Sequence, residues 1–184
     1  MKSFKEFQKE ALIKFLGMDK YNRIIKMFND GEDLSAKEFT KLFNGFYRVR
    51  RDEKTWQKHY YQFFEKNREN KNISFDEILD YMYEKTGNIE ASFSSKMLAT
   101  INPDMPIWDK YVLNYYKIKV NETTNKEERI TKTKEAYKKL IGEVKKKLAD
   151  KETQKVIKEF REFFPELNFS DVKILDFLIW SDRD

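Results

Sequence analysis

Apolar residues return every three to four positions along nearly all of this chain, and residues that break helices are scarce. Phe4, Phe7, Ala11, Leu12 and Phe15 share one helical face, and Tyr21, Ile24, Ile25 and Phe28 share another. Five glycines and three prolines in 184 residues are too few for a turn-rich β-fold. The pattern predicts an all-α chain of about eight or nine helices. No period of 20–50 residues and no strand–helix alternation appears, which sets aside a solenoid or a parallel sheet.

Local signals place the helix ends. Gly17 closes the first helix, and Asn29-Asp30-Gly31 the second. Ser35 to Glu38 reads as a capping box opening a helix with Phe39, Leu42, Phe43, Phe46 and Tyr47. Asp52 suits the cap of a helix carrying Trp56, Tyr60, Phe63 and Phe64, whose spacing reads as core rather than as a base-stacking platform. Ser74 to Glu77 is a second capping box, and Gly87-Asn88 closes its helix. A Lys/Glu-rich region from Lys126 to Phe164 ends at Pro165, and Ser170 caps a final helix. The expected organisation is one all-α domain over residues 1–184. Residues 1–87 form its N-terminal helical part, and residues 88–184 a second lobe.

Composition narrows the function classes. The chain has no cysteine and one histidine, His59, so disulfides and Cys/His metal clusters are excluded, and His59 reads as structural or surface. Aromatics make up 16% of the chain, which argues for a packed core despite 38% charged residues. No apolar run approaches a membrane span and the first residues lack a signal-peptide core, so a cytoplasmic protein without a membrane partner is expected. A net charge of +5 permits a polyanionic partner but discriminates weakly. Lys138, Lys139, Lys145, Lys146 and Lys147 interleave with Glu135, Glu143, Asp150 and Glu152, which favours a solvated, ion-paired helix face. Arg48, Arg50 and Arg51 form a tighter basic knot, for which anion binding and an ordinary surface role both stand open.

The helical rhythm breaks between Ala91 and Val112. A helix is expected from about Ala91 to Ile101, then a turn over Asn102-Pro103-Asp104-Met105-Pro106. Pro106 suits the first turn of a helix carrying Ile107 through Ile118. Lys96 and Asp109, thirteen positions apart, then fall close together across the turn. A lysine in a desolvated pocket can lose its proton and attack a sugar carbon, and a nearby carboxylate can stabilise the positive charge that develops. Spacing alone favours the ordinary reading, a solvated lysine and an aspartate stabilised by a helix dipole.

Ser94-Ser95-Lys96-Met97-Leu98, then Pro103 and Pro106-Ile107-Trp108-Asp109-Lys110-Tyr111-Val112, resembles the catalytic segment of the helix-hairpin-helix DNA glycosylases. The likeness is to a compact bacterial branch similar to 8-oxoguanine DNA glycosylase. Leu175-Asp176-Phe177-Leu178-Ile179-Trp180 is similar to a helix near the end of that branch. The resemblance implies that Lys96 is a Schiff-base nucleophile and Asp109 its catalytic aspartate. It implies duplex DNA with a damaged base as partner, and neither metal nor cofactor. The base leaves the stack, the base is expelled, and β-elimination of the 3′ phosphate follows. Phe93, Ser94, Ser95 and Trp108 are the implied substrate-binding residues, and Arg48, Arg50, Arg51 and Lys110 the candidate nucleic-acid contacts. A catalytically inactive helical module of the same fold, binding nucleic acid or protein, is the alternative. The hairpin before the lysine departs from the superfamily's Leu-Pro-Gly-Val-Gly: Lys85 to Ser92 keeps one glycine and places Glu90 where a phosphate would dock.

Overall fold

A computed structural model describes residues 17–120 and 123–182. The expected helix over Phe4–Phe15 lies outside the described residues. Among the described residues nine α-helices run in chain order: α1 Met18–Asn29, α2 Lys37–Tyr47, α3 Lys58–Lys66, α4 Phe75–Thr86, α5 Ala91–Ile101, α6 Lys110–Tyr115, α7 Lys126–Leu148, α8 Lys151–Phe163 and α9 Asp171–Ser181. No strand occurs among the described residues, and the chain is all-α as its periodicity predicts. No described helix is long and apolar enough to cross a membrane.

Several helix ends follow their sequence signals. Ser74 and Glu77 form the full capping box of α4, and Gly87 ends it at φ 69°. Ser170 caps α9 by accepting from Lys173 N at 3.1 Å. Asp52 accepts from Thr55 N and Trp56 N, but the turn it caps is π-helical, Glu53–Gln57, and runs into α3.

Two expectations fail, each for a visible reason, and a region that the sequence left undivided resolves into two helices. The Ser35–Glu38 box does not form: Asp33 takes both the amide and the hydroxyl of Ser35, Glu38 pairs with Arg23, and Ala36 stands at the N-cap. The Lys126–Phe164 region is two helices, because Asp150 caps a new start through Thr153 N at 3.0 Å. Pro106 does not open a helix. Residues 106–109 form a non-helical stretch with Asp109 extended, and α6 begins at Lys110, capped by Asp109, whose Oδ1 accepts from Tyr111 N at 2.8 Å.

The non-helical stretch is pinned from three sides. Ser95 Oγ on α5 accepts from Trp108 N at 2.8 Å, Tyr137 on α7 donates to the Pro106 carbonyl at 2.8 Å, and Ser170 donates to the Pro103 carbonyl at 2.6 Å. These backbone groups, which no helix ladder satisfies, find side-chain partners instead.

The larger apolar cluster joins residues of both sequence halves, from Ile24 through Phe43, Tyr60 and Ile78 to Leu98, Leu140 and Ile179. Trp56, Tyr60, Tyr61 and Phe64 are buried in it, as their spacing predicts. A smaller cluster packs α8 on α1 and α9 through Met18, Tyr21, Phe160 and Phe177. Helix α5 sits against the larger core with every residue from Ser94 to Ile101 buried. Because Ser95 links this helix to the non-helical stretch, Ser95→Ala leaves Trp108 N without its acceptor. A loss of about 1–2 kcal/mol in urea unfolding is expected.

Candidate active-site cleft

A cleft of about 410 Å³ opens where α2, α5, α6 and α9 meet. Lys96 from α5 and Asp109 from the cap of α6 both line it. Lys96 is 9% exposed, its Nζ donating to Ser92 Oγ one turn back at 2.9 Å. The same nitrogen lies 4.8 Å from the centre of the Phe93 ring and 5.5 Å from that of Tyr47. Burial lowers its pKa from the ordinary 10.5 to about 8, against the opposing pull of the Asp109 and Asp176 charges. At pH 7 roughly one amine in ten is then unprotonated, against about one in three thousand at the ordinary value. Asp109 is half-buried, and desolvation raises its pKa despite the bond from Tyr111 N.

Two charged groups from α9 complete the floor. Lys173 and Asp176 line the cleft and form a buried ion pair, Nζ to Oδ2, of 2.6 Å. The other carboxylate oxygen, Asp176 Oδ1, is buried with no hydrogen-bond partner, and so is the Tyr47 hydroxyl. Phe46, Tyr47, Phe177 and Trp180 supply aromatic walls, and Tyr111 at the mouth meets Trp180 edge-on at 4.9 Å. Gly17 completes the lining at φ 68°, where an added Cβ would lie 3.3 Å from the Phe46 ring.

The other sequence candidates divide. Ser94 is fully buried with an unpartnered hydroxyl, and Ser95 is committed to Trp108 N and to the Ser92 carbonyl. Trp108 is half-buried and stacks on Phe75 at 6.3 Å. None of the three lines the cleft. Phe93 reaches the site only through its ring face, beneath Lys96. Arg48 is exposed at the mouth, in left-handed backbone at φ 54° that ends α2, and Lys20 joins it at the rim. Arg50 and Lys110 are exposed away from the lining.

Arg51 is held elsewhere. It makes two bonds to the Glu90 carboxylate, at 3.1 and 3.2 Å, and Trp56 Nε1 donates to the same group at 3.0 Å. Glu90 is 4% exposed, so it is turned inward and neutralised rather than presented to a phosphate at the hairpin. On α7, Lys138, Lys146 and Lys147 pair with Asp76, Glu143 and Asp150, the solvated arrangement their interleaving predicts.

Sequence reading missed the role of Lys173. It sits in a run of apolar residues on α9 that reads as core. The available signal was the opposite charge of Asp176 three residues on, since two charges at i,i+3 inside an apolar helix must pair or line a cavity.

Comparison with protein-family models, with curated proteins and with solved structures returns no match.

The depressed pKa of Lys96 fixes a stability prediction. Between about 8 and 10.5 the unfolded chain binds the extra proton, so stability rises with pH across that window; below it the penalty is constant. Lys96→Met removes the buried charge. In urea titrations it is expected to be more stable than wild type at pH 7 by roughly 2–3 kcal/mol, and to lack the rise between pH 8 and 10.5.

Proposed function

We propose that this chain is a DNA base-excision protein of the glycosylase/lyase type, with Lys96 as nucleophile and Asp109 as the carboxylate that stabilises its transition state. The observation that carries the reading is a buried lysine amine, its pKa lowered by desolvation, on the floor of a cleft that it shares with an aspartate. An amine that sheds its proton near neutral pH, with no carboxylate in contact, is suited to covalent chemistry.

The cleft suits a flipped base in size and lining. Planar aromatic walls offer stacking surfaces, and the Asp176 carboxylate at the floor keeps one buried oxygen without a protein donor. Arg48 and Lys20 at the mouth suit the flanking phosphates.

In the proposed reaction the Lys96 lone pair attacks C1′ as the glycosidic bond breaks. The bonding electrons leave with the base, which takes up a proton. Asp109 stabilises positive charge on the sugar. Loss of a proton from nitrogen and opening of the ring yield the Schiff base. Removal of a C2′ proton then breaks the C3′–oxygen bond and releases the 3′ phosphate.

Borohydride trapping on duplex DNA containing 8-oxoguanine or an abasic site tests the chemistry. Wild type is expected to give a covalent adduct whose rate climbs with pH to a plateau above about 8, as the amine deprotonates. Lys96→Ala abolishes the adduct, and Asp109→Asn slows it by about 10²-fold or more. No adduct across a lesion panel, with salt-sensitive DNA binding retained, would point instead to a non-catalytic binding module.

Arg48 supplies a second test. Glycine relieves the left-handed backbone, so Arg48→Gly is expected to stabilise the fold by about 1 kcal/mol. It is also expected to weaken DNA binding and to flatten the slope of log affinity against log salt by about 1.

A further inference from the structure

The floor of the cleft holds two lysines and two aspartates, and their pairing is unequal. Lys173 Nζ lies 2.6 Å from Asp176 Oδ2. Lys96 Nζ donates to a neutral hydroxyl, Ser92 Oγ, while Asp109 turns an oxygen to the start of α6. One lysine therefore holds a carboxylate in contact, and the other is bonded to a neutral group.

An aromatic cage favours this choice. Lys173 Nζ sits 4.4 Å from the ring centre of Tyr21 on α1, 4.6 Å from Phe177 on α9 and 5.6 Å from Phe46 on α2. Three ring faces attract a cation there, with little competition from water. The cage comes from three helices, so the ammonium is held in place beside Asp176.

The alternative pairing would be damaging. A carboxylate acting on Lys96 keeps it as ammonium, which is no nucleophile. The charged and titratable groups that share the cleft with Lys96 are Tyr47 and the rim Arg48 from α2, the rim Lys20 from α1, Asp109 and Tyr111 at the start of α6, and the α9 pair, with Tyr21 of α1 against Lys173. Burial pushes the Tyr21 and Tyr47 hydroxyls up, so they stay neutral. Asp109 and Asp176 favour the protonated amine, and Lys173 opposes them.

We propose that Lys173 is a positioning residue that occupies the Asp176 carboxylate and thereby leaves the Lys96 amine available for attack. The inference rests on the reading of Lys96 as a nucleophile, and its test needs no DNA. The folded full-length chain is treated with ¹³C-formaldehyde and cyanoborohydride across a pH series, and the methylation rate at each lysine is read by peptide mass spectrometry. Lys96 in the wild type is expected to titrate near pH 8.

In Lys173→Met the midpoint moves up by about one pH unit, and methylation of Lys96 at pH 7 slows about tenfold. Lys173→Arg keeps the charge and keeps the wild-type midpoint. Asp176→Asn removes the competing carboxylate and moves the midpoint down. A Lys173→Met midpoint equal to wild type overturns the proposal, and so does a Lys173→Arg midpoint displaced as far as that of Lys173→Met. If Lys173→Met loses its helical circular dichroism, Asp176→Asn decides, and an unmoved midpoint there overturns it. Wild type that traps no damaged DNA, while Lys173→Met still displaces the Lys96 midpoint, defeats the base-excision reading alone.

Discussion

Helix α5 has no solvent face over its last two turns, and that constraint reaches every part of the site. Ser94 to Ile101 are all buried, so a charged residue at position 96 must be neutralised, paired or given a cavity. Here it has a cavity. The amine reaches the cleft floor at the end of an alkyl stem laid along Phe93, with Ser92 as its polar contact. The same helix holds the opposite wall in place, because Ser95 grips Trp108 N and so sets where Asp109 enters. Neighbouring residues of one helix thus supply the buried amine and locate the Asp109 carboxylate.

The elements around α5 act to keep it fixed. Glu90 sits at its N-cap with an inward carboxylate, tied to Arg51 before α3 and to Trp56 at its entry. Lys71 donates to the Ile101 carbonyl at the other end, at 2.6 Å. Both ends of the lysine-bearing helix are therefore clamped by side chains distant in sequence. A nucleophile must be held to within fractions of an ångström, and rigid supports matter more for that than the local sequence around the lysine.

What was legible in the sequence followed from how local the deciding interaction is. Periodicity gave the helices, and Ser74 with Glu77 gave a cap, because those contacts lie within one turn. Ser35 with Glu38 carries the same signature and fails, because Asp33 and Arg23 compete for its two members. Pro106 fits a helix start by its own geometry, yet Asp109 is the better cap and Ser95, thirteen residues before Trp108, holds the Trp108 amide outside a helix. Glu90 reads as hostile to phosphate until Arg51, 39 residues away, is seen to neutralise it. Lys96 and Asp109 stood out because the pattern breaks between them. Lys173 did not, because α9 is apolar on all sides and its charges read as exceptions in a core helix.

The buried pair on α9 is hard to explain by stability. Two ions removed from water repay their desolvation only when every polar atom is satisfied, and Asp176 Oδ1 is not. Apolar residues of similar size would pack against Tyr21, Phe46 and Phe177 without that penalty. Structural buried ions are expected to be closed networks, as Arg68 is here, with bonds to Glu65 and to the carbonyls of Phe28 and Glu32. The α9 pair lines the cleft with one carboxylate oxygen unpartnered. A buried acceptor left unpartnered in the floor of a cleft is an arrangement that folding alone does not require, and it marks the place where the proposed substrate would be held.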